Sequence, residues 1–348
     1  MSSFGECPIS RFDYDRILLG HGSGGRLTSE LIGKLFLPAF GGSPLAALED
    51  AATLDIGMGS RLAFTTDAFV VRPIFFPGGD IGRLAVCGTI NDLSVAGAVP
   101  RFLSAAFILE EGLALDDLRR IADSMQLACD EAGVELVTGD TKVVDRGKGD
   151  QVFITTTGIG LVPQGRSLSI ANAKPGDRIL VSGTIGDHGV AILSVREGIE
   201  FETLLESDVA PLNRLTELLM TECPSIRCMR DPTRGGVAGV LNELAVASRV
   251  EVRVTESSLP IRPEVRAACE MLGLDPMYVA NEGKLLAVVP GEDADRLLSV
   301  ARQHPLGRNA ALIGSVVSGR LGLVTMQSLV GGERLVPVLA GEQLPRIC

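Results

Sequence analysis

Four aspartates stand among small or hydroxyl-bearing neighbours: Asp50 before Ala51-Ala52, Asp67 after Thr65-Thr66, Asp92 after Asn91, and Asp140 after Gly139. A carboxylate in such a setting at a strand end can hold Mg2+ against a polyphosphate, because that ion takes one or two carboxylates and keeps much of its water. Singly, each acid would serve as a cap or a solvated turn; the recurrence is what suggests a cation site. Lys142 follows in Gly139-Asp140-Thr141-Lys142, placed to meet a phosphate or a substrate oxygen, or else to form an ordinary surface pair. Asp231-Pro232-Thr233-Arg234-Gly235-Gly236 ends an expected strand and opens a helix, so its amides and Arg234 suit an anion. Asn281-Glu282-Gly283-Lys284 leads into the apolar run Leu285 to Val289. A carboxylate there is partly desolvated, with a raised pKa useful in a base.

Two further features bear on chemistry. Gly20-His21-Gly22-Ser23-Gly24-Gly25 precedes a helical stretch, Leu27 to Phe36. Its amides suit an anion. A dinucleotide fold is excluded, since only Ile17-Leu18-Leu19 could form the preceding strand and a loop over 41–60 stands where the next strand should be. Two readings remain, a plain flexible loop and a mobile phosphate-covering lid. The other feature is the last residue, Cys348. An extended tail from Val338 reaches about 33 Å at ~3.3 Å per residue. That is enough to show one thiol to a second protein and then to a pocket in its own body, although position alone fits a stray cysteine on a disordered tail equally well. Its pKa starts near about 8.5 and rises beside the α-carboxylate, with Arg346 partly opposing.

Composition narrows the partners. The formal charge is −11, and no basic block of five or more occurs, so nucleic acid and anionic membranes are not expected. No apolar run approaches the ~18 residues of a membrane helix and no signal peptide is visible, so the expected location is cytoplasmic. Seven scattered cysteines without a C-x-x-C pair argue against a disulfide framework or structural zinc; Cys87, Cys129 and Cys269 read as small core residues.

The elements that position these residues read as two α/β domains. Aromatics are only 4% and Trp is absent, so the core is aliphatic, suited to sheets under closely packed helices. In the first domain, strands are expected at 61–71, 134–138 and 151–162. One helix has Ile81, Leu84, Ala85, Gly88, Leu93 and Ala96 on a face, and another, capped by Asp116, runs to Gly133. Asn172 to Gly176 is the boundary. Helices then follow near 185–197, 210–222, 234–248, 263–272 and 292–303, with strands near 178–182, 226–230, 250–255, 284–289, 311–317, 320–326 and 334–338. The expected division is 1–172, 173–338 and a tail over 339–348.

These segments together resemble the hydrogenase-maturation carbamoyl dehydratase family, HypE, within the superfamily of aminoimidazole ribonucleotide synthetase and selenophosphate synthetase. The matching residues include His21 to Gly25, Thr65 to Asp67, Phe75 to Gly82, Cys87 to Asp92, Gly139 to Lys142, Gly186 to Gly189, Asp231 to Gly236, Asn281 to Lys284 and Pro345 to Cys348. They run in order over nearly the whole chain, and the terminal cysteine singles out the branch.

The resemblance implies an α/β architecture with a β-rich N-terminal ATP-binding and dimerisation domain. It implies that Cys348 receives a carbamoyl group from the carbamoyltransferase HypF and that ATP drives its dehydration to a thiocyanate. The cyanide then passes to the HypC–HypD complex for nickel-iron hydrogenase. By the same resemblance Asp50, Asp67, Asp92 and Asp140 hold Mg-ATP. His21, Gly22, Ser23, Gly24, Gly25, Thr233, Arg234 and Gly235 contact nucleotide or phosphate, and Lys142 and Glu282 handle the dehydration. The superfamily often has two aspartates at the Asp50 turn, and Glu49 replaces the first, which leaves a metal role at position 49 open. Phosphorylation or cyclisation of a free small molecule, and a non-catalytic carrier or scaffold, stay open as alternatives.

Overall fold

A computed structural model describes residues 16–22, 25–40, 47–57, 61–198, 205–339 and 347. Ser23, Gly24 and Cys348, and most of the expected tail, lie outside the described residues.

The first sheet has the order β1-β2-β7-β5-β6, from Ala52–Asp55, Arg61–Phe69, Val152–Val162, Val99–Glu110 and Glu135–Val144. All its pairings are antiparallel except β5 with β6. Strands β3 (Phe75–Phe76) and β4 (Gly79–Asp80) form a small hairpin. Along β7 every second residue is buried, and in β2 Ala63, Thr65 and Phe69 follow the same alternation with Asp67 half-buried among them, as a sheet covered on one face requires.

The covering helix, α2 (Ile81–Val95), is buried almost all round; before it in the chain, α1 (Arg26–Leu31) continues through a π-helical stretch (Ile32–Phe36) into a last helical turn (Leu37–Phe40). Such a helix must be enclosed on every side. The sheet covers one side, α3 (Leu115–Ala132) another, and the second half of the chain a third. Small residues set the approach: a Cβ on Gly82 would meet the Ile121 carbonyl at 2.6 Å, and one on Gly88 the Phe69 ring at 2.9 Å. Asp80 fixes the start of α2 by accepting from the Gly82 amide at 2.7 Å.

The second sheet has seven strands, β14-β13-β10-β12-β8-β11-β9. In chain order these are β8 (Arg178–Val181), β9 (Cys228–Arg230), β10 (Glu251–Thr255), β11 (Leu286–Val289), β12 (Ala311–Val317), β13 (Leu323–Gln327) and β14 (Glu333–Leu335). The helices α4 (Asp187–Glu197), α5 (Asn213–Glu222), α6 (Gly236–Ser248), α7 (Pro263–Leu272) and α8 (Ala294–Ala301) alternate with them. Five cysteines, among them Cys87, Cys129 and Cys269, are buried free thiols.

Several expectations need correction. Strand β5 falls where none is expected, because Pro100 and the short Ser104-Ala105-Ala106 stretch dilute the strand pattern, and pairing on both sides overrides them. The expected loop over 41–60 contains β1. Asp116 does not cap α3: the N-cap is Ala114, and Asp116 lies in the first turn. The strand expected at 134–138 continues to Val144, since β5 pairs with it that far. Asp140, Thr141 and Lys142 are therefore inside β6 and not beyond it.

Candidate active site

The site forms where the first sheet, α2 and the end of β9 meet. Carboxylate oxygens of Asp50, Asp92 and Asp231 all lie within 4.8 Å of one another. Asp50 comes from the turn before β1, Asp92 from α2, and Asp231 follows β9 directly. Arg230 holds this corner. Its Nε lies 2.7 Å from Asp50, and its guanidinium nitrogens lie 3.1 Å from Glu243 and 3.7 Å from Glu49. Burial works against that cation, but Asp50 and Glu243 outweigh it and push its pKa up. The Thr65 hydroxyl bridges the turn and the helix, 2.8 Å from Asp92 and 3.0 Å from the Asp50 carbonyl.

The three carboxyls are crowded and desolvated. Burial raises Asp50 well above the usual carboxylate range despite Arg230. Burial likewise raises Asp92, with Asp231, Asp50 and Asp67 adding to it. Asp231 is pushed up to about 6, again by burial and against Arg230. Acids in such a cluster hold protons because their charges lack compensation. A hard divalent cation relieves the repulsion, and an all-oxygen donor set is the one Mg2+ prefers. The residues fit that ion.

A cleft opens beside the cluster, lined by Asp67, Gly88, Asp92, Asp231, Thr233, Arg234 and Glu282 among others. Asp67 sits 3.8 Å from Arg234, and burial raises its pKa while Arg234 lowers it. Glu282 is 3% exposed, and its Oε1 has no hydrogen-bond partner. Burial lifts its pKa well above the ordinary value, with Asp231, Asp208 and Asp67 reinforcing the shift. The expected desolvation of Glu282 is present.

Backbone geometry brings these residues in. Asn281 is fully buried; its Oδ1 accepts from the Gly186 amide at 2.8 Å and its Nδ2 donates to the Pro232 carbonyl at 3.0 Å, so the two loops that carry Glu282 and Thr233 are bracketed together. Gly235 and Gly236 take φ of +80° and +60° at the start of α6, and a Cβ on Gly236 would meet the Met277 carbonyl at 2.6 Å. Only glycine meets both demands.

The described part of the Gly-rich segment reaches the same cleft. Leu19–Gly22 is a single 3-10 turn with His21 buried, and Arg234 donates to the Gly22 carbonyl at 3.0 Å. Gly25 precedes α1, whose first amide, on Arg26, donates to Leu339 O at 3.1 Å.

Asp140 and Lys142 do not join the cluster within one chain. Asp67 shares a row with Thr156, Ala105 and Gly139, and buried Thr156 donates to the Ala85 carbonyl of α2 at 3.0 Å. Asp140 shares the neighbouring row with Ala68, Thr155 and Ala106, all exposed, so it belongs to the opposite face. Three strand spacings, about 14 Å, also separate it from β2. Both residues are exposed and paired with each other at 2.7 Å, which lowers the Asp140 pKa.

Glu49 is not in the cluster either. It accepts from Ser169 Oγ at 2.6 Å and from the Ile170 amide at 3.0 Å, tying the turn to the segment between the sheets. Asp231 and Arg230 are residues that sequence reasoning does not assign to the cation corner. Their one visible signal is a charged pair closing a short apolar strand.

Residues 48–162 match the family model of the AIR synthase related protein N-terminal domain, and 174–326 that of its C-terminal domain. The carbamoyl dehydratase HypE of Cupriavidus necator is 55% identical over 333 residues, 96% of this chain and 95% of that protein. The chain belongs to the HypE family. A solved HypE–HypF complex contains a chain 50% identical to this one, with a TM-score of 0.84 over 89% of this chain and 99% of that one. A HypE solved in complex with ATP is 52% identical, with a TM-score of 0.81 over 96% of this chain and all of that one.

Proposed function

We propose that this protein uses ATP to dehydrate an S-carbamoyl group on Cys348 to a thiocyanate, supplying the cyanide ligand of nickel-iron hydrogenase. The observation that carries the reading is the acidic cleft. Crowded carboxyls suited to a cation stand beside Glu282, whose free oxygen faces no protein partner. Family membership, the ATP-bound relative and the HypF-bound relative support it.

Dehydrating S–C(=O)–NH2 means expelling an amide oxygen and removing two N–H protons. ATP supplies the first requirement by turning that oxygen into a phosphate ester, and Mg2+ neutralises phosphoryl charge when bound. Asp50, Asp92 and Asp231 hold the cation, and Asp67 borders it. Thr233, Arg234 and Gly235 at the start of α6, with Gly22 beside Arg234, bind phosphate, and His21, Ser23, Gly24 and Gly25 complete that role. Glu282 takes protons from nitrogen, as its desolvated position suits.

Asp140 and Lys142 act across a dimer. The outer face of the first sheet exposes Phe64, Phe102, Ile108 and Leu161, and β6 is an unpaired edge among the described residues. Such a face and edge suit a second copy of the chain. Lys142 of that copy would then orient the carbamoyl oxygen in the first copy's cleft.

The partners are HypF as carbamoyl donor and the HypC–HypD complex as cyanide acceptor, in the cytoplasm. Among the described residues no helix is long and apolar enough to cross a membrane. The test is intact-protein mass spectrometry on chain carbamoylated by HypF. ATP and Mg2+ should remove the mass of one water from the C-terminal peptide. Full ATP turnover with that mass unchanged would refute the reading.

A further inference from the structure

Ile347, the next-to-last residue, is buried at 6% exposure. Its side chain joins the cluster that includes Phe76, Ile192, Val209 and Ala280. Its carbonyl lies 2.6 Å from Nε2 of His188, the second residue of α4. We propose that His188 and Ser207 form a latch for the C-terminal tail, holding the Ile347 carbonyl so that the chain's last residue is delivered to the cleft. His188 is a positioning residue in this scheme.

The hydrogen bonds run in one direction. A carbonyl only accepts, so Nε2 carries the proton, and in the neutral ring Nδ1 offers a lone pair. Nδ1 lies 2.8 Å from Ser207 Oγ, which donates to it. The same oxygen accepts from the Val209 amide at 3.2 Å, which leaves its hydroxyl hydrogen for the ring. The tautomer that can bind the tail is thus set by a backbone amide through one serine. Phe76 packs edge-on against the ring, with centroids 5.6 Å apart, and burial favours its neutral form.

Ser207 is itself fixed. Its amide donates to Pro77 O at 2.8 Å, and Gly78, at φ +88°, leaves no space for a Cβ against the Ser207 carbonyl. The next residue, Asp208, accepts from the Glu282 amide at 3.0 Å and pairs with Lys284 at 2.9 Å. From the tail carbonyl to the backbone of Glu282 the chain of contacts is His188, Ser207 and Asp208. One trans peptide spans about 3.8 Å, so docking Ile347 confines the residue after it to this wall.

The consequence for turnover rests on the reading of Cys348 as group carrier; the contact does not. Loading by a second protein needs the tail released, and dehydration needs it latched.

The test alkylates the full chain with a maleimide and follows the C-terminal peptide by mass spectrometry. In Gln the amide nitrogen lies near the place of His Nε2, and in Asn it does not reach. His188→Asn should raise the alkylation rate roughly fivefold, the effect of one lost hydrogen bond, while His188→Gln should stay near the wild-type rate. Ile347→Ala, which leaves His188 and Ser207 in place, should also alkylate faster and decides the matter should His188→Asn fail to fold. Wild-type rates in both His188→Asn and Ile347→Ala would overturn the latch. With HypF and ATP, latch variants should accept the carbamoyl group undiminished and lose water slowly. Faster alkylation in the variants, without any water loss from the wild type, would spare the latch and sink only the dehydratase reading.

Discussion

Glu282 shows how a single residue was legible in sequence and what the fold adds. The apolar run after it announces burial, but the sources of its raised pKa come from distant segments: Asp231 after β9, Asp208 before α5 and Asp67 on β2. Asp231 reads in sequence only as part of an anion-gripping turn, because its nearness to Asp50 and Asp92 depends on where β9 docks. A carboxyl with a folded pKa above its unfolded value, about 4.3 for Glu, binds more protons folded than unfolded. Its presence therefore lowers stability as pH rises from that value through the folded pKa. Glu282→Gln removes the penalty. The variant should melt with the wild type near pH 4 and above it at pH 8, by roughly 2–4 °C for each kcal/mol relieved, while ATP-dependent water loss disappears. Thermal melts across pH decide it; a variant that melts lower at pH 8 would show that Glu282 is ionised and compensated in the fold.

Among the elements, helices were the most readable, since apolar spacing marks α3, α6 and α7 within a few residues and a glycine stops α3 and α7. Strands β1 and β5 were not, because their short or proline-containing sequences become strands only through their neighbours. The length of β6 is the consequential case. Reading it as ending at 138 puts Asp140 and Lys142 on the turn after the strand, whereas pairing with β5 carries both along an exposed edge and onto the far face. Sites shared between two copies predict complementation. A dimer with Lys142→Ala in one chain and Glu282→Gln in the other contains one cleft with both wild-type residues and one with neither. Co-expressed, separately tagged chains should recover about half the wild-type water loss per dimer, while each variant alone has almost none. If each cleft used its own Lys142, every cleft in the mixed dimer would be damaged and nothing would be recovered.

At the scale of the whole molecule, α2 belongs to both halves, and successive residues on it do different work. Asp92 faces the acidic cluster. Asn91 is fully buried and faces the second half, where its Nδ2 donates to the Ala210 and Glu282 carbonyls at 3.1 and 3.2 Å and its Oδ1 accepts from the Leu212 amide at 2.8 Å. The helix that presents one cation ligand thereby fixes the backbone of the proposed base. Asn91→Ala leaves three buried backbone groups without that partner, at about 1–3 kcal/mol for each group left unsatisfied. Alanine's better helix propensity returns at most about 0.7 kcal/mol. Relaxation will spare part of the loss, so a net destabilisation of roughly 2–4 kcal/mol is expected, read as a lower urea midpoint at an unchanged slope. Water loss should fall further than the folded fraction does, because Glu282 loses its tether even in molecules that remain folded. An unchanged midpoint would mean that the halves are held by apolar packing around α2 alone, and Asn91 would then have no claim on the placement of Glu282.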